Sequence, residues 1–177
     1  MTEYDQLLKT YRSDHEEIEE TVAHLYKLAM ADGVFDLVEK WMILDLIKRY
    51  APHHTFHEGL FAQSRKKFNA RVIHHPRHML VYMIMLAYCD GKLSGEEWQQ
   101  IQETAHILSM DDAYLDTLHS IVKHKIYNTI LRQVYAIKIN SNARARFLSD
   151  VREVFNLPRD AAAYEESVVR DGLTKGR

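Results

Sequence analysis

Leu28-Ala29-Met30-Ala31-Asp32-Gly33-Val34-Phe35-Asp36-Leu37-Val38-Glu39 decides the fold, because most of it recurs as Leu86-Ala87-Tyr88-Cys89-Asp90-Gly91-Lys92-Leu93-Ser94-Gly95-Glu96-Glu97. The offset, from Asp32 to Asp90, is 58 residues. Each copy ends an apolar helix at an Asp-Gly turn, where glycine allows a sharp change of direction. Each then starts another helix with a capping box, Asp36 with Glu39 and Ser94 with Glu97. Working outward at the same offset, Val22 matches Leu80, Leu25 matches Met83, Leu28 matches Leu86, Ile43 matches Ile101, Phe56 matches Tyr114 and Leu60 matches Leu118. The pattern predicts two copies of a helix-elbow-helix-helix unit, about residues 14–71 and 76–124, related by a pseudo-twofold axis. The apolar helices ending at Ala31 and Cys89 should lie together in the centre. A tandem solenoid fits less well, since such arrays need about three or more repeats.

With 177 residues, 46% of them apolar, the chain has enough material for one domain with its own core. The 23 basic and 25 acidic side chains leave a net charge of −2, which gives no bulk electrostatic reason to bind nucleic acid. The single Cys89 excludes an internal disulfide framework and a cysteine zinc cluster, and suits a reducing cytosol. Met1-Thr2-Glu3-Tyr4-Asp5 lacks the basic start and apolar core of a signal peptide. The most apolar run, Met79 to Cys89, is far shorter than the roughly 20 residues that span a bilayer, so membrane insertion is not expected. Six Gly, three Pro and few alternating β-branched runs point to an all-helical chain.

Helices are expected from Ser13, capped with Glu16, to about Ala31, and from Val38 to Tyr50. Another, capped by Thr55 and Glu58, should cover Phe56 to Arg71. Pro76 suits the first turn of the next, and Asp111 or Asp112 can cap the one after the second elbow helix. C-terminal helices are expected over Tyr127 to Lys138, Ser141 to Phe155 and, after Pro158, to about Gly172, with breaks near 124 and 138. Glu16, Glu17, Glu19 and Glu20 read as the wet, dipole-matched start of the first long helix. The prediction is one all-α domain over 1–177, a compact bundle of about seven to nine helices.

The doubled elbow resembles the TerB-like family, the helical domain of tellurite-resistance proteins that also precedes the J-domain in DjlA-type co-chaperones. The residues that carry the likeness are Ala31-Asp32-Gly33, Asp36 and Glu39 in the first copy and Asp90-Gly91, Ser94 and Glu97 in the second, over about Val22 to Leu118. Cys89 stands where the family has a small, Ala-like residue. The resemblance implies a non-enzymatic cytoplasmic module that works with protein partners in a stress-response, tellurite-resistance-like setting. It also implies that Asp32, Glu39, Asp90 and Glu97 are candidate ligands of a divalent cation, magnesium or calcium, with Asp36 a weaker addition.

From the Asp onward each elbow matches the second half of a calcium EF-hand loop. The first half fails, since Leu28 and Met30, or Leu86 and Tyr88, stand where carboxylates are needed, so a normal EF-hand site is excluded. Two readings of the leftover carboxylates stand side by side. They shape the turns and cap the helices, or they hold a largely hydrated ion.

His53-His54-Thr55-Phe56-His57 and His74-His75-Pro76-Arg77-His78 both follow His-His-x-x-His, and imidazoles four apart on a helix can chelate zinc, nickel or copper. Both lie at helix entries beside Pro52 and Pro76, where part of each falls outside regular helix, so surface histidines are the simpler account. A small helical metallohydrolase using His53, His57, His74 or His78 with Asp or Glu ligands is the alternative function. A dedicated interaction subunit of a larger assembly is a third, and self-association is left open. Glu103-Thr104-Ala105-His106 resembles half of a di-iron motif whose second half is missing. Arg144, Arg146, Arg152, Arg132 and Lys138 make the late helices locally basic, which suits either an acidic partner or plain solvation.

Overall fold

The computed structural model describes residues 15–31, 33, 37–50, 67–137 and 139–175. Among the described residues the regular structure is helical throughout, with no strand. The helices are α1 (His15–Ala29), α2 (Leu37–Tyr50), α3 (Pro76–Ala87), α4 (Gly95–Ile107), α5 (Asp112–Ala136), α6 (Ser141–Val154) and α7 (Arg159–Lys175), with a 3-10 turn at Ala70–Val72. Two compact units divide the chain, Met1–His119 and Ser120–Arg177, and their boundary falls inside α5.

In the first unit α1 packs against α2, α3, α4 and the 3-10 turn, and α3 packs against α1 and α4. Helix α3 buries nine of its twelve residues, which leaves it almost no wet face and makes it a central element. Val22, Leu25 and Leu28 of α1 and their counterparts Leu80, Met83 and Leu86 of α3 are each at most 1% exposed. Burial of side chains this size stabilises by roughly 1.5–3 kcal/mol apiece relative to exposure. Ile43 and Ile101, likewise matched, are buried on α2 and α4.

Where both elbows are described, their backbones match. Ala31 N–H donates to the Leu28 carbonyl at 2.9 Å and Gly33 N–H to Met30 at 3.1 Å; 58 residues later Cys89 donates to Leu86 at 2.9 Å and Gly91 to Tyr88 at 3.0 Å. Both glycines adopt positive φ, +85° at Gly33 and +96° at Gly91, which side-chain-bearing residues rarely tolerate.

Several sequence expectations change. Residues 67–69 are not helical and Ala70–Val72 is only a 3-10 turn, so the helix expected up to Arg71 does not extend that far. One tertiary and one local bond explain it: Asn69 N–H is drawn to Glu20 Oε1 at 2.9 Å, and Asn69 Oδ1 accepts from Arg71 N–H at 3.3 Å. The rest of that segment, 51–66, with Thr55, Glu58, His53, His54 and His57, lies outside the described residues. Helix α5 runs unbroken through 124–127, where a break was expected, because no Gly or Pro interrupts it. Asp111 is its cap, accepting from Tyr114 N–H at 2.7 Å.

In the second unit Tyr127, Leu131, Leu148, Phe155, Ala162 and Val169 are buried. The His124 ring pairs with Glu165, whose other oxygen accepts from Asn128 Nδ2 at 2.8 Å, and Tyr127 donates to Glu166 at 3.0 Å. Burial, and then the Glu166 carboxylate, push the Tyr127 phenol well above its ordinary range. Helices α4 and α6 both end in Schellman turns, with Met110 N–H to Ala105 and Leu157 N–H to Arg152 closing them. The residues between, Ser109 at φ 59° and Asn156 at φ 44°, take the left-handed conformation without being glycine.

Candidate functional site

The second elbow shows what its carboxylates do. Ser94 Oγ accepts from Glu97 N–H at 3.1 Å, and Glu97 Oε2 accepts from Ser94 N–H at 2.7 Å, which completes the predicted capping box. Glu97 is buried, 8% exposed, with one oxygen committed to this cap. Asp90 is exposed, and its Oδ1 accepts from Lys92 N–H at 2.9 Å, an Asx-type turn across Gly91. A cation at this elbow would therefore meet one exposed carboxylate in Asp90. It would recruit Glu97 only by drawing on a group that is already buried and capping.

In the first elbow Glu39 is also 8% exposed, matching Glu97. Asp32 and Asp36 lie outside the described residues. Among the described residues no three His, Cys, Asp or Glu side chains are grouped closely enough to hold a metal ion.

Polar groups of α1 form the more substantial constellation. Glu17, expected in solvent, is 1% exposed. Its Oε1 accepts from the His74 and His75 amides at 2.9 and 2.7 Å, and its Oε2 meets His75 Nδ1 at 2.9 Å. His75 is the residue preceding α3 and offers no side-chain cap of its own, with Pro76 following it. Glu17 thus caps α3 from another helix, placing a carboxylate at its positive end. The reading of the acidic cluster as uniformly wet is corrected here: Glu17 and Glu20 hold the segment entering α3, while Glu16 stays exposed. Glu17 and His75 are also separated by 58 residues, the elbow offset.

Further along α1, His24 is 6% exposed and its Nε2 lies 2.7 Å from Thr104 Oγ1 on α4. Thr104 donates its single hydroxyl proton to the Gln100 carbonyl at 2.8 Å, so it accepts from His24, and the imidazole hydrogen resides on Nε2. Burial, helped by the Lys27 charge, lowers the His24 pKa from 6.5 to about 4, so the ring is neutral at pH 7. The Phe68 ring covers it at a centroid distance of 4.4 Å.

Among the described residues the remaining histidines are distributed rather than gathered. His78 is buried and meets the His75 ring edge-on at 5.5 Å. His106 pairs with Asp112 at 2.9 Å on the surface, and Glu103 accepts from Gln99, so the Glu-x-x-His sequence faces solvent partners. His119 bonds Tyr88 at 2.8 Å and lies against Trp98 at 4.5 Å; with His124 it sits inside the unbroken α5.

Beside the first elbow, Leu37, Val38 and Trp41 are 67%, 52% and 63% exposed. Their counterparts at the 58-residue offset are Gly95, Glu96 and Gln99, exposed as well but not apolar. No protein-family model, curated protein or solved structure matches the chain.

Proposed function

We propose that this chain is a TerB-like, non-enzymatic helical module that acts by binding a protein partner through the α2 surface beside its first elbow. The observation that carries the reading is the unequal surface of the two elbow helices. Leu37, Val38 and Trp41 are exposed where the second copy has Gly95, Glu96 and Gln99, so the fold does not require apolar groups there. Exposed aromatic and aliphatic residues on one helical face are what a partner's apolar surface buries.

Two features support the pseudo-repeat on which the family likeness rests. The elbows share their hydrogen bonds and positive-φ glycines position by position. Glu17 meets His75, its own counterpart at the repeat offset, as residues beside a twofold axis do. The setting we infer is cytoplasmic and stress-related, of the tellurite-resistance type, with a magnesium or calcium ion at Asp32, Glu39, Asp90 and Glu97 as an accessory.

Affinity capture from the source cell's extract tests the binding surface, comparing the parent chain with the doubly substituted Leu37→Asp, Trp41→Asp protein. A partner retained by the parent and lost by the variant is the expected outcome. An identical capture profile would refute the assignment. Calorimetry with magnesium, calcium, manganese and zinc, on the parent and on Asp32→Asn and Asp90→Asn, tests the ion separately. No heat of binding by the parent removes the ion from the proposal.

A further inference from the structure

The second unit contains a cleft of about 380 Å³ between the face of α6, the end of α5 and α7. Arg144 and Arg152 line it from α6 and Arg170 from α7, together with Ser141, Ser149 and Glu166. Three guanidinium groups and one carboxylate line it, with Arg170 also 4.0 Å from Asp171, so it carries a net positive charge in a chain whose net charge is negative. Such a concentration of like charge opposes folding unless something offsets it.

The guanidinium groups are held in place. The Arg144 group stands 4.9 Å from the centre of the Tyr135 ring, while its Nε is shielded from solvent and makes no hydrogen bond. Arg152 is half-buried and donates to Ser149 Oγ at 3.4 Å. Glu166 is oriented from behind by the Tyr127 hydroxyl. The Asn140 side chain takes the Asn142 amide at 2.8 Å, so recognition here depends on side chains and not on the α6 terminus alone.

We propose that this cleft binds a small organic phosphate as its dianion, with Arg144 and Arg152 gripping the phosphate and Glu166 accepting from a hydroxyl of the same molecule. The two guanidinium charges of Arg144 and Arg152 match a phosphate dianion. Guanidinium groups suit its oxygens through paired hydrogen bonds. The volume falls in the range of small-molecule sites, roughly 300–1,000 Å³. Leu148, buried at the floor, meets the organic body.

Calorimetry on the full chain with glycerol 3-phosphate, inorganic phosphate and glycerol tests the proposal. Saturable one-site binding of glycerol 3-phosphate is expected, tighter than that of inorganic phosphate, with no heat from glycerol. Arg144→Gln and Arg152→Gln should each weaken it roughly tenfold or more, the worth of a charge-assisted contact. Arg170→Gln, at the exposed rim, should weaken it by a smaller factor without disturbing the fold. Arg146→Gln, on the same helix but outside the cleft, should leave it unchanged. Absence of saturable binding by the parent, or an equal loss in Arg146→Gln, would overturn the site; equal affinity for inorganic phosphate would overturn the role of Glu166.

Discussion

Acidification should loosen the first unit through His24 before most carboxylates titrate. The ring is buried and neutral, with a pKa near 4 against 6.5 for the exposed side chain. Between those values the unfolded chain binds the extra proton and the folded chain does not, so stability is complete above pH 6.5 and falls as the pH drops toward 4. The loss is roughly 1 kcal/mol at pH 6 and 2 kcal/mol at pH 5, and it levels off near 3 kcal/mol below pH 4. Urea titrations followed by tryptophan fluorescence can measure it, because Trp41 and Trp98, the two tryptophans of the chain, both belong to the first unit. Carboxylates also titrate in this range, so the quantity to compare is the difference between the parent and His24→Gln, whose amide can still donate to Thr104 but cannot gain a proton. That difference should shift by roughly 2 kcal/mol in favour of the variant between pH 7.5 and 5. A difference that stays constant with pH would refute the account of a buried neutral imidazole.

Glu17→Ala strands the His74 and His75 amides at the start of α3 and should cost about 3 kcal/mol in the same urea assay at pH 7, far more than Glu16→Ala on the exposed side. Gly33→Ala and Gly91→Ala should each cost about 1 kcal/mol; an added Cβ meets no atom within 4 Å at either position, so the penalty is backbone strain and should be similar for both. Ser109→Gly should raise stability by about 0.5–1 kcal/mol, since the left-handed residue ending α4 would lose its Cβ conflict, and a thermal melt reads the gain.

What was legible in the sequence was local or periodic. The Asp-Gly elbows, the Ser94–Glu97 cap, Pro76 at the start of α3 and the apolar run through Met79 to Ala87 all announce themselves within a few residues. Glu17 did not, because a Glu in the first turn of a helix looks the same whether it faces water or caps another helix 57 residues away. His24 gave no signal either, since its burial depends on Thr104 and Phe68 arriving from elsewhere. Residues 67–69 carry a helical pattern in sequence because the competing bond to Glu20 is tertiary. Of the cation candidates, Asp90 and Glu97 are placed and partly used by the turn itself, which their spacing had already allowed. The parts of the arginine cleft, taken one helix at a time, are indistinguishable from a solvated basic face.

The long reach of the α1 side chains also bears on the order in which the protein is made. When α1 leaves the ribosome, the groups its polar residues need do not yet exist: Glu20 waits for Asn69, Glu17 for His74 and His75, and His24 for Thr104, 80 residues downstream. At roughly 5–20 residues per second that wait is on the order of 4–16 seconds. During it a helix with an apolar stripe, two uncommitted carboxylates and an ionisable imidazole remains open to water and to chaperones. The closure of the first unit is therefore timed by the synthesis of α4.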